Sequence, residues 1–65
     1  EHFAFRATGL NVFLTALRER RVAYNVNVSP SNNNRMVNVY DPDTNHVEIQ
    51  FDASETSDLS AYTPT

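Results

Sequence analysis

His2 and Glu48 are the two side chains whose types most readily suggest chemistry in this chain of 65 residues. An imidazole and a carboxylate together form a common ligand set for Zn, Fe, Mn, Ni or Co. Two ligands do not complete a catalytic metal site, which normally uses three or four protein ligands and keeps one position open. One chain therefore offers half a site, and a second module would have to supply the rest. The plainer alternative makes His2 a frayed terminal residue and Glu48 a solvated carboxylate. Arg6, Asn38 and Gln50 are candidate polar contacts to a bound small molecule, and Tyr40 is a candidate aromatic wall. Arg6 could equally pair with Glu48, and Tyr24 and Tyr40 also suit plain packing roles. His46 could be a further ligand or an acid/base group, or simply an exposed histidine beside a hairpin turn.

Other chemistries find little support. Gly9 is the one glycine, so there is no phosphate-cradling loop, and the chain has neither Cys nor Lys to act as a nucleophile. Asp41-Pro42-Asp43-Thr44-Asn45 imitates the opening of a calcium loop, but His46 stands where that loop needs glycine, so a hairpin turn is the better reading. Asn27-Val28-Ser29 matches a glycosylation sequon and, with no secretory signal in view, reads as coincidence. Eight acids against five arginines give a net charge of -3, with no basic stripe for a phosphate backbone, so nucleic acid is not an expected partner. No apolar run approaches the roughly 18 residues of a membrane span. The expected location is the cytoplasm.

The elements that must position these residues follow from periodicity. His2–Ala7 alternates, with Phe3 and Phe5 on one face and His2, Ala4 and Arg6 on the other, which predicts a strand. Leu10, Phe13, Leu14 and Leu17 fall at i, i+3, i+4 and i+7, predicting an amphipathic helix that starts near Thr8 or Gly9 and stops near Arg21. Val22–Val28, Met36–Tyr40 and His46–Phe51 read as further strands, joined by a polar loop over 29–34 and the turn over 41–45. The helix between the first two strands implies a right-handed crossover and parallel strands. The expected fold is α+β, a four-stranded mixed, curved sheet with one helix on one face. Phe3, Phe5, Leu10, Phe13, Leu14, Leu17, Val47, Ile49 and Phe51 are its expected core. The other face would carry His2, Ala4, Arg6, Asn38, His46, Glu48 and Gln50. Residues 1–52 form this unit, and residues 53–65 form a polar tail, mobile or packed on a partner, with Leu59 and Tyr62 as its anchors.

A core this small supplies only about 3 to 5 kcal/mol. With no cysteine for a disulfide or a thiolate zinc site, the remaining aids are oligomerisation or a metal held by other ligands.

The stretches His2-Phe3-Ala4-Phe5-Arg6, Leu17-Arg18-Glu19-Arg20-Arg21-Val22 and above all Tyr40-Asp41-Pro42-Asp43-Thr44-Asn45-His46-Val47-Glu48-Ile49-Gln50-Phe51 resemble the vicinal oxygen chelate superfamily. That family includes glyoxalase I, fosfomycin-resistance proteins, extradiol dioxygenases and bleomycin-resistance proteins. The resemblance implies one βαβββ module that pairs with a second, either another copy in a homodimer or a missing N-terminal half. It places His2 and Glu48 at the family's two metal positions within a module. It implies a divalent metal (Zn, Ni, Fe, Mn or Co) and Lewis-acid chemistry on a small oxygen-bearing substrate, of lyase, isomerase, transferase or dioxygenase type. The family also includes metal-free binding dimers of the kind used in antibiotic resistance, and a separate alternative is an inactive module made only to assemble. Thr44 stands where the family's turn has glycine, and Arg21 where a glycine often follows the helix. Both departures bear on turns and leave the ligand positions intact.

Overall fold

The structure is a computed structural model that describes residues 2–40, 43 and 46–64, with side chains described from Phe5 onward. The backbone forms β1 (His2–Ala7), α1 (Leu10–Glu19), β2 (Tyr24–Val28), β3 (Arg35–Tyr40), β4 (His46–Phe51) and β5 (Ala61–Tyr62). The fold is α+β, one helix on an open five-stranded mixed sheet in the order β1-β4-β3-β2-β5. β1 pairs with β4 in parallel, and β4 with β3, β3 with β2 and β2 with β5 are antiparallel. β1 and β2 thus run the same way, as the intervening helix requires, but with β4 and β3 between them. The expected turn at Asp41-Pro42-Asp43-Thr44-Asn45 lies, apart from Asp43, outside the described residues.

The fifth strand replaces the expected four-stranded sheet. Tyr62 pairs with Tyr24 and Ala61 with Asn25, so the polar tail returns to its own chain. Hydrogen bonds hold it there. Val26 N donates to Ser60 O at 2.9 Å, Tyr24 Oη to Leu59 O at 3.0 Å, and Arg18 Nη2 to Ala61 O at 2.8 Å. Arg18 also lies over the Tyr24 and Tyr62 rings, 5.9 and 5.3 Å from their centroids, a cation–π arrangement.

The helix begins and ends in left-handed backbone. Gly9 caps it with φ 84° and has no side chain to bond the exposed amides. Glu55 does so from the tail, its Oε1 accepting from Gly9 N at 3.0 Å and Leu10 N at 2.8 Å. This satisfies two donors that a helix start leaves open and sets a carboxylate at the positive end of the dipole. At the other end Arg21 N donates to Arg18 O and Val22 N to Leu17 O, the Schellman pattern, with Arg21 at φ 57° where glycine is usual. That bond holds Val22 in the helix terminus, which is why β2 starts at Tyr24 and not at Val22.

The core is Leu10, Leu14, Tyr24, Val37 and Phe51, with Phe13, Leu17, Val26, Val39, Ile49, Leu59 and Tyr62 packed around it. Leu10 and Leu14 come from the helix stripe, and Phe13 meets Phe51 with ring centroids 5.6 Å apart. Phe5 departs from expectation, being 57% exposed. It pairs with Ile49 on the helix side of the sheet, but from the edge strand. The buried strand residues lie on β2, β3 and β4, so the core is centred away from that edge. Phe3 lies outside the described side chains. Tyr24 joins the core because its hydroxyl is satisfied twice, donating to Leu59 O and accepting from Arg18 Nε at 2.8 Å.

Candidate functional site

Strand side chains alternate between faces, and the register fixes which polar residues become neighbours opposite the helix. Ala4, Glu48, Asn38 and Asn25 occupy one row across β1, β4, β3 and β2. Arg6, Gln50, Met36 and Asn27 form the next row, and His2, His46 and Tyr40 the row on the other side.

Asn38 is the centre of this face. It is only 6% exposed, and its amide is used on both sides. Nδ2 donates to Asn25 Oδ1 at 3.0 Å, while Oδ1 lies 2.7 Å from His46 Nε2. An amide oxygen only accepts, so in this arrangement His46 Nε2 carries the proton. The His46 ring is fixed a second time by Tyr40, stacked at 4.8 Å between centroids and 14° between planes. Tyr40 is itself 43% exposed, so the pair presents a flat aromatic surface beside the polar row.

Glu48 projects from the middle of β4, and its Oε2 accepts from Gln50 Nε2 at 2.9 Å. An outer hydrogen bond of this kind orients a carboxylate without consuming its other oxygen. Arg6 is exposed on β1 next to Gln50. Just beyond β4, Asp52 is held below the ordinary carboxylate value by Ser54, whose hydroxyl donates at 2.7 Å and whose amide donates at 2.9 Å, with a smaller contribution from the Arg6 charge.

The sequence-predicted residues therefore share one face, in different conditions. Glu48, Arg6, Gln50 and Tyr40 line it, whereas Asn38 braces it from within. The His2 side chain lies outside the described residues. Its backbone is opposite His46, and Ala4 is opposite Glu48. His2 and Glu48 thus sit one diagonal step apart on neighbouring strands, about 8 Å at the usual strand spacing and rise. A histidine and a glutamate at that separation fit half of a metal ligand set, with Gln50 as the outer partner of the carboxylate. Among the described residues, no three His, Asp or Glu gather into a fuller set.

His46 is held more firmly than its place beside a turn implied. The available signal was symmetry: Tyr40 and His46 flank the turn residues 41–45, so a hairpin makes them cross-strand partners. No protein-family model matches the chain, and no curated protein or solved structure matches it. Among the described residues, no helix is long and apolar enough to cross a membrane.

Proposed function

We propose that this chain is a glyoxalase-like half-site module, which pairs with a second module and presents His2 and Glu48 to a divalent metal for chemistry on a small oxygen-bearing substrate. The observation that carries this reading is the parallel β1–β4 register, which brings His2 and Glu48 to adjacent strands on the polar face. Glu48 supplies the charged ligand oxygen, and Gln50 holds that carboxylate in one orientation. When bound, the metal would supply Lewis acidity toward the substrate's oxygens. Arg6 is placed to attract an anionic substrate to the edge of the face, and the Tyr40–His46 pair offers a flat surface against which it rests. If the pairing is a symmetric homodimer, two histidines and two glutamates converge.

Metal content of protein purified without chelator, compared across wild type, His2→Ala and Glu48→Ala, tests this reading. Stoichiometric metal in wild type and its loss in both variants is the expected result. Equal, negligible metal in all three would overturn it.

A second reading, a metal-free module that sequesters a flat ligand, draws on Tyr40, exposed and stacked on His46. It expects ligand-induced thermal stabilisation that chelator leaves unchanged, together with loss of that shift in Tyr40→Ala.

A further inference from the structure

The helix side of the sheet holds a cleft of about 300 Å³ between the start of α1, the ends of β2 and β3, and tail residues 56–60. That is the lower end of the range for small-molecule sites. Its walls are apolar and come from Leu10, Leu14, Val26, Val28 and Leu59. Val28 is 53% exposed and stands at the mouth. One cation lines this apolar space, Arg35. Two of its nitrogens are committed, Nε to Glu55 O at 3.1 Å and Nη1 to Asn33 O at 2.9 Å. These two bonds fix the guanidinium plane and leave Nη2 without a partner among the described residues. Thr56 and Ser60 add hydroxyls to the lining.

We propose that this cleft is a binding site for a short aliphatic carboxylate, separate from the polar face and independent of the function proposed for it. The alkyl chain lies along Val26, Val28 and Leu59, over the buried Leu10 and Leu14 at the floor, and so loses contact with water. The carboxylate accepts from Arg35 Nη2, a charge-assisted bond made to a guanidinium already held in place. A cleft at the small end of the ligand-site range suits a short chain, and octanoate is the probe of that class. Because residues 56–60 form one wall, the bound ligand also holds the tail against the sheet, so ligand and tail stabilise each other.

The test is titration of the full chain with octanoate and, separately, with octan-1-ol, followed through the methyl resonances of Leu10, Leu14, Val26 and Leu59. Octanoate is expected to shift these methyls and to bind at least about tenfold tighter than the alcohol, the margin of one hydrogen bond to a charged group. Arg35→Met is expected to erase that margin. Val28→Trp, a change at an exposed strand position, fills the mouth and is expected to weaken octanoate binding at least tenfold; it keeps the test decisive if Arg35→Met does not fold. Unmoved methyls at every octanoate concentration below micelle formation would overturn the proposal. So would equal affinity for acid and alcohol in wild type, unchanged binding in Val28→Trp, or shifts confined to His46 and Glu48.

Discussion

Removing one side chain from the tail, Glu55→Ala, should destabilise the whole chain, because it uncaps the helix. The carboxylate Oε1 takes two amide bonds, 3.0 Å to Gly9 and 2.8 Å to Leu10. Hydrogen bonds to charged groups contribute about 1.5 to 3 kcal/mol when buried. The Gly9 amide is exposed and water can replace its partner, whereas the Leu10 bond is part-buried and keeps most of its strength. Loss of a helix N-cap costs about 0.5 to 2 kcal/mol, and the dipole adds about 0.3 to 1. Together these place the loss near 2 kcal/mol. In a domain of this size each kcal/mol moves Tm by about 4 to 8 °C, so a fall of roughly 8 to 16 °C is expected. Glu55→Gln keeps an acceptor oxygen and loses the charge, so it should fall between the two. Urea unfolding by circular dichroism measures both variants. A lower m-value in Glu55→Ala would report a tail already detached in the native state. A wild-type midpoint retained by Glu55→Ala would refute the capping argument, whatever Glu55→Gln does.

Three further outcomes follow from local geometry. Arg21→Gly should melt a few degrees above Arg21→Ala, because both lose the side chain and its interactions, and only glycine takes the left-handed backbone without a cost of about 1 to 2 kcal/mol, of which its unfolded-state freedom returns a part. Asp52 titrates below the ordinary carboxylate value through its Ser54 bonds. Its contribution to stability is therefore complete above that ordinary value and is lost as pH falls through the lowered one. Asp52→Asn should flatten that part of the acid limb in a plot of unfolding midpoint against pH, and Ser54→Ala should move the Asp52 carboxyl titration upward by NMR. Asn38→Ala removes the donor to Asn25 Oδ1 and the acceptor 2.7 Å from His46 Nε2. It should cost about 1 to 3 kcal/mol and broaden the His46 ring resonances as the ring gains freedom.

Alternation and the i, i+3, i+4, i+7 stripe were enough to locate the helix and the first four strands, because each pattern is local. Position within the sheet is not local. The alternation that sets Phe5 on the helix side is the same in an edge strand as in a central one, and the edge leaves Phe5 exposed. β5 has only Ala61 and Tyr62, too short for any periodicity, and becomes a strand because β2 offers an open edge. The Glu55 cap spans 45 residues to Leu10, so no window along the chain contains both partners. Tyr24 could be assigned to the core only once Leu59 O and Arg18 were known to satisfy its hydroxyl. On the polar face, the residue types were legible and their division of labour was not. That Asn38 braces His46 depends on the cross-strand register, which periodicity leaves open by any even number of residues, whereas the Gln50–Glu48 bond joins two residues of one strand and lay within reach of the alternation itself.

The small core was one of two reasons to expect a partner, the other being an incomplete ligand set. The first reason weakens once the tail is counted. Leu59 and Tyr62 pack on the core, Glu55 caps the helix, and β5 adds a strand, so residues 53–64 give this chain some of the stabilisation that oligomerisation would otherwise provide. The second reason is untouched, because among the described residues the tail bonds the helix, β2, β3, Asp52 and itself, and meets the polar row only at Asn25 on its far edge, not at Glu48 or Gln50. The case for a second module therefore rests on the polar face alone. A chain that is monomeric and still well folded would fit the tail argument and remove the metal proposal, whereas a tail truncation that unfolds the monomer would show that the two sides of the sheet are stabilised by different parts of the same sequence.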